Sequence, residues 1–145
     1  MSGFLLDVNV LIALLWPAHE AHPRAQRWFA KNADEGWATC AMTEAGFVRI
    51  VSNPAFSRRV VSPRDALEVL QGSLRHRTHR FWTEDIGITG ALASIGGRLV
   101  GHQQVTDAYL LGLAIHKKGR LATLDASLAG LLPSAATERA TVVVL

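Results

Sequence analysis

The sequence of 145 residues predicts an α/β fold, a single domain with a mainly parallel central sheet and helices on both faces. Three observations carry that prediction. Short stretches of apolar residues recur, each too brief for a helix and each followed by a helix-start signal. These stretches lack polar alternation, as expected of strands buried on both faces. No internal repeat, low-complexity tract or flexible linker divides the chain, so one domain is expected over residues 1–145.

The elements follow in order. Phe4, Leu5 and Leu6 make a brief apolar strand that closes on Asp7. Residues 10–16 are apolar on every side until Pro17, which predicts a buried first helix capped by Asn9. His22 and Pro23 open a second helix to about Lys31, with Ala25, Trp28 and Phe29 at helical spacing, and Asp34-Glu35-Gly36 ends it. Residues 37–41 read as a buried strand. Residues 43–51 give a third helix with Phe47, Ile50 and Val51 inward, stopped by Ser52-Asn53-Pro54. Ser62-Pro63-Arg64-Asp65 combines an N-cap serine, a first-turn proline and an acid at the third position, so a helix is expected to Leu74.

Residues 80–85 form the next expected strand, and the glycines at 87, 90, 96, 97 and 101 mark turns around a short helix at 91–95. Gly87-Ile88-Thr89-Gly90 lacks the lysine and hydroxyl residue of a phosphate-binding loop and reads as turn chemistry. Thr106 is expected to cap a helix that begins with Asp107 and ends at Lys117-Lys118-Gly119, where cations and a glycine suit a carboxyl terminus. A strand at 121–124 closing on Asp125, a short helix after it and a last strand at 141–145 complete the pattern.

With 49% hydrophobic and 19% charged side chains, the chain is long enough to bury about 70% of its unfolded surface. The apolar run at 10–16 falls well short of the roughly 20 residues of a membrane span. No charged leader with a small-residue cleavage site precedes it, so a cytoplasmic protein without membrane contact is expected. Cys40, the single cysteine, lies beside Ala41 and Met42 and reads as a buried thiol.

The net charge of +3 is unevenly placed. The segment 49–80 holds seven arginines against Asp65 and Glu68, whereas the remainder has eight basic and ten acidic side chains. Guanidinium groups pair bidentately with phosphate, so Arg49, Arg58, Arg59, Arg75, Arg77 and Arg80, with His76 and His79 nearby, are candidates for holding a polyanion such as RNA. A solvated helix face is the plainer account of such a patch.

Four acids stand where strands end or helices begin: Asp7, Glu44, Asp107 and Asp125. Each has an ordinary structural account. Asp7 leads into a helix, Asp125 can cap one, and Glu44 and Asp107 suit the positive end of a helix dipole. As a set they point to one pocket, because ligands in open parallel sheets bind beyond the carboxyl ends of the strands. Several ionised carboxylates coexist there only with a compensating cation. Oxygen donors without histidine or cysteine partners favour Mg²⁺ or Mn²⁺. His102 and His116 read as a loop residue and a helix-end residue, since neither has a ligand spacing to another histidine.

Leu5-Leu6-Asp7-Val8-Asn9-Val10-Leu11-Ile12-Ala13-Leu14, Thr43-Glu44-Ala45-Gly46-Phe47-Val48-Arg49, Val105-Thr106-Asp107-Ala108-Tyr109-Leu110-Leu111 and Leu121-Ala122-Thr123-Leu124-Asp125 together resemble the PIN domain, specifically the VapC toxins of bacterial type II toxin–antitoxin pairs. The resemblance spans the chain. It implies a Mg²⁺- or Mn²⁺-dependent endoribonuclease that is held inactive by a cognate antitoxin and forms a homodimer. It matches Asp7, Asp107 and Asp125 to the family's aspartates, Glu44 to its glutamate, and Asn9 and Thr123 to the polar positions beside the metal. Asp7 and Asp107 are expected as the principal metal ligands, Asp125 as a ligand or water-mediated partner, Glu44 as a candidate for a second ion or general base, and Thr106 in support. Ala126-Ser127-Leu128 follows Asp125 where some relatives carry a further acid, and no acid appears before Glu138, which argues against a fully occupied second metal site.

Leu14, Leu15 and Trp16 with Trp28 and Phe29 are candidates for an antitoxin groove, with core packing as the plainer account. The rival function is a PIN-fold module that mainly binds a partner protein or RNA. An aspartyl-phosphate phosphatase is disfavoured because it needs Asp-x-Asp, and the third position here is Asn9.

Overall fold

A computed structural model describes residues 3–132 and 141–145. Five strands, β1 (Phe4–Leu6), β2 (Trp37–Thr39), β3 (His79–Phe81), β4 (Arg120–Thr123) and β5 (Val142–Val144), form one sheet in the order β3-β2-β1-β4-β5. Every pair is parallel. Among the described residues six α-helices accompany them: α1 (Val8–Leu15), α2 (His22–Asn32), α3 (Ala41–Val51), α4 (Pro63–Leu74), α5 (Ile88–Ala91) and α6 (Val105–His116).

Side chains alternate across a strand, and this alternation separates two cores. Phe4, Leu6, Trp37 and Ala122 pack with α1, α3 and α4 on one face through Leu11, Phe47 and Leu70. Leu5, Ala38 and Leu121 pack on the other face with Leu110, Leu111 and Leu113 of α6 and with Ala91 of α5. The sheet is therefore covered on both sides, and its central strands β1 and β2 are buried at every position.

Several local expectations are corrected. Asp7, not Asn9, caps α1: β1 turns directly into the helix, so Asp7 is the last extended residue and its carboxylate accepts the Val8 N–H at 2.7 Å. Thr106 caps nothing, because the short 3₁₀ turn His102–Gln104 feeds straight into α6 one residue earlier. The third helix begins at Ala41 behind Cys40, whose backbone N–H is bound by the Thr43 hydroxyl at 3.0 Å. β3 starts one residue before the expected strand and ends sooner, its last rung being Trp82 N–H to the Thr39 carbonyl at 2.8 Å. The short helix in the glycine-rich segment is α5, earlier than 91–95.

At the end of α6 it is Lys118 that takes the left-handed conformation, with φ of 58°. Gly119 serves contact instead, since a Cβ there would stand 2.5 Å from the Trp82 ring. Ser62 caps α4 as expected, accepting from Asp65 N–H at 3.0 Å. Cys40 is buried, and burial pushes its thiol up to about 11. Among the described residues no helix is long and apolar enough to cross a membrane. Glu138 lies outside the described residues.

Candidate metal centre

The chain passes from β1 outward through β2 to β3, then returns to the other side of β1 as β4. Strand order reverses between β1 and β4, and at such a switch point the connections leave a crevice beyond the strand ends. Asp7 follows β1 and Asp125 follows β4, so the two acids flank that crevice.

The Thr123 hydroxyl joins them. Thr123 is fully buried at the end of β4 and donates to Asp7 Oδ2 at 2.7 Å. Its oxygen accepts from Asp125 N–H at 3.0 Å and from Asn9 Nδ2 at 3.3 Å. Asn9 Oδ1 in turn accepts from Leu124 N–H at 3.1 Å, so the first turn of α1 is bound to the end of β4. Asp125 accepts from the Ser127 N–H and hydroxyl at 2.9 and 2.7 Å and caps the 3₁₀ turn Ala126–Leu131. Asn9 and Thr123 thus join Asp7 to Asp125, although Asn9 has no capping role.

Asp107 enters from α6. It sits half-buried in the first turn of that helix, and its carboxyl is pushed up to about 6 by burial and then by the charges of Asp7 and Asp125. Asp7 is raised by burial, opposed by its bonds to Thr123 and Val8 and reinforced by Asp125. The three aspartates therefore act on one another electrostatically. No hydrogen bond among the described residues offsets the penalty at Asp107 as Thr123 does at Asp7. Repelling hard-oxygen donors whose repulsion a cation would relieve fit a divalent metal of the Mg²⁺ class. Among the described residues no three Asp, Glu, His or Cys side chains are already drawn together as a closed ligand set.

Glu44 is directed elsewhere. It lies in the first turn of α3 beyond β2, and its Oε2 accepts the Thr39 hydroxyl at 2.6 Å, with His79 Nε2 2.8 Å from the same hydroxyl. It is not among the charges that shift Asp7 or Asp107. Thr106 is exposed beside Asp107 and carries no capping bond.

The six arginines are not brought to the aspartates. Arg49 is exposed in the last turn of α3, the end remote from Glu44, and Arg58 and Arg59 are exposed in the loop that follows. Arg77 pairs with Asp34 just ahead of β2, and Arg80 folds back on the Arg77 and His79 carbonyls at 3.4 and 2.9 Å. With Arg75, which follows α4, they lie where β2 and β3 begin, the edge opposite the aspartates. Sequence reasoning missed Thr39, and Glu84, whose Oε2 accepts Met42 N–H at 2.7 Å at the start of α3; it placed His79 with the arginines, whereas His79 and Thr39 form a link to Glu44 that joins three elements.

The family model described as "PIN domain" matches residues 4–131. The chain belongs to the PIN-domain family. Within it, the chain is 44% identical to Ribonuclease VapC39 of Mycobacterium tuberculosis over 125 residues, covering 86% of this chain and 90% of that protein. Ribonuclease VapC38 of the same organism is 44% identical over 122 residues, 84% of each chain, and Ribonuclease VapC44 is 42% identical over 125 residues, 86% and 87%. The chain is thus a PIN domain of the VapC group.

The fold is shared with a chain in the crystal structure of VapBC2 from Rickettsia felis bound to a DNA fragment from their promoter, at a TM-score of 0.62 and 12% identity, over 99% of this chain and 98% of that one. A second PIN-fold likeness is to DNA-bound VapBC from Salmonella typhimurium, at a TM-score of 0.56 and 18% identity, over 86% and 87%.

Proposed function

We propose that this PIN domain is a metal-dependent endoribonuclease, the toxin of a type II toxin–antitoxin pair, that hydrolyses phosphodiester bonds in RNA at the Asp7–Asp107–Asp125 pocket. One observation carries the reading: Asp7 and Asp107 are both raised above the ordinary carboxylate value across the switch point of the sheet, first by burial and then by neighbouring charge, that of Asp125 at Asp7 and those of Asp7 and Asp125 at Asp107. The VapC relatives, named as ribonucleases, support the reaction class.

Asp7, Asp107 and Asp125 are the groups that would hold Mg²⁺ or Mn²⁺. Such an ion supplies an activated water and neutralises charge on a phosphoryl oxygen. Thr123 holds Asp7 by its hydroxyl proton and Asp125 by its oxygen, which fixes the spacing between the two strand ends. Asn9 keeps the Thr123 hydroxyl oriented and locks α1 to β4. Glu44, in the first turn of α3 beyond the neighbouring strand β2, is the acid proposed to take a proton from the attacking water.

A cognate antitoxin would inhibit from a docked helix. A cavity of about 520 Å³ is lined by Leu14, Leu15, Phe29 and Trp37 and suits the apolar face of such a helix. Trp16 and Trp28 do not belong to it: they pack edge-on against Phe56 at 5.1 Å and Phe4 at 4.9 Å. Cytoplasmic residence and a homodimer are part of the same proposal.

The test is cleavage of total RNA by the purified protein with and without Mg²⁺. Asp7→Asn is expected to abolish cleavage while keeping the fold, because it removes a charge rather than packing. Undiminished cleavage by that variant refutes the assignment. RNA that is bound but left intact by the wild-type protein favours the rival binding module.

A further inference from the structure

One chain of polar side chains beside the aspartate pocket has no part in holding the ion. Thr39, the last residue of β2, is fully buried, and its hydroxyl donates to Glu44 Oε2 at 2.6 Å. His79 Nε2 lies 2.8 Å from the same oxygen. A hydroxyl carries one proton. The hydroxyl oxygen thus bridges the carboxylate and the ring, and the tautomer of His79 sets which of ring and hydroxyl donates in the second contact. The ring itself is held, half-buried on the first residue of β3 and 4.7 Å from the Trp37 indole. Burial also lowers its proton affinity below the ordinary 6.5.

The consequence falls on Glu44. A half-buried glutamate on a helix has three side-chain torsions to order, and ordering them costs free energy unless fixed neighbours hold the carboxylate. Here a β2 side chain supplies the hydrogen bond and a β3 side chain supplies the support behind it.

We propose that Thr39 and His79 are positioning residues, a hydrogen-bonded line from β3 through β2 that sets the direction of the Glu44 carboxylate at the edge of the sheet where Asp7 and Asp125 stand. The proposal rests on the ribonuclease reading above for its effect on turnover, but the line itself exists without metal or RNA.

Two measurements test it. In metal-free protein, proton–nitrogen spectra of the imidazoles should show the His79 Nε2 resonance moving in Thr39→Val and in Glu44→Ala, and remaining near its wild-type position in Thr39→Ser. In RNA cleavage, Thr39→Val and His79→Phe should each lower kcat about tenfold, the loss of one hydrogen bond to a charged group. Thr39→Ser should restore most of it, and the double variant should lose little more than either single one. Valine matches threonine in shape and suits a strand, so thermal unfolding should change little relative to the fall in kcat. A His79 resonance indifferent to Glu44→Ala overturns the proposal, as do additive losses in the double variant or no rescue by serine. If the wild-type protein cleaves no RNA, the ribonuclease reading fails and the proposed effect on turnover fails with it, while the metal-free spectra still decide whether the line exists.

Discussion

Thr123 does more for the pocket than any of the acids it joins. Its one hydroxyl meets Asp7, Asp125 and Asn9 at once, and it is fully buried. Thr123→Val keeps the shape but strands a buried carboxylate, so unfolding stability should fall by about 1–3 kcal/mol. Denaturant unfolding at pH 7 without metal measures this; a change near zero would mean that the hydroxyl is dispensable to Asp7. Asp107 gives a prediction of opposite character. Its carboxyl is raised from 3.8 to about 6, so the folded protein binds more protons than the unfolded chain between those values. Stability contributed by this group is therefore lost as pH rises through that window. Asp107→Asn should gain stability relative to the metal-free wild type as pH climbs from 4 to above 6, and Mg²⁺ should stabilise the wild type far more than the variant. Melting temperatures across that pH range would show a constant gap if Asp107 were unperturbed. The acids were legible because they interrupt apolar strings. The hub was not, since Thr123 meets Asp7 across 116 positions of sequence that no local pattern links.

Elements were readable where their own residues decide them. The capping serine of α4 and the apolar strings of β1 and β4 fold as their sequences dictate. Boundaries moved where a neighbour decides instead. β3 ends when β2 offers no further rung, and α1 begins one residue after β1, which puts Asp7 at its cap and turns Asn9 toward β4. Gly112 shows how packing sets the site. A Cβ there would lie 2.2 Å from the Ala91 carbonyl oxygen, a backbone atom that cannot swing aside. Gly112→Ala should push α5 off α6, the helix that delivers Asp107, and cost about 1–3 kcal/mol, read by chemical unfolding. Wild-type stability in that variant would show that α5 shifts freely on α6.

At the scale of the whole molecule, parallel strands place all chain-end chemistry on one edge, and the arginine-rich segment falls elsewhere. Arg75, Arg77 and Arg80 border the edge where β2 and β3 begin, while Arg58 and Arg59 follow the far end of α3. Charge composition could announce a polyanion but not its distance from the carboxylates, because topology alone sets that distance. If these arginines hold RNA, they hold it away from the aspartates. Alanine at Arg58, Arg59, Arg75, Arg77 and Arg80 should therefore raise KM and flatten the salt dependence of binding, with kcat retained. An unchanged salt slope would reduce the patch to a solvated surface.

The proposed convergence of three aspartates on one cation is the central claim, and calorimetric titration of the purified protein with Mn²⁺ tests it most directly. The wild type should bind the ion, and Asp7→Asn, Asp107→Asn and Asp125→Asn should each weaken binding at least about tenfold, the loss of a charged ligand. Binding of equal strength by the wild type and all three variants would contradict the shared pocket.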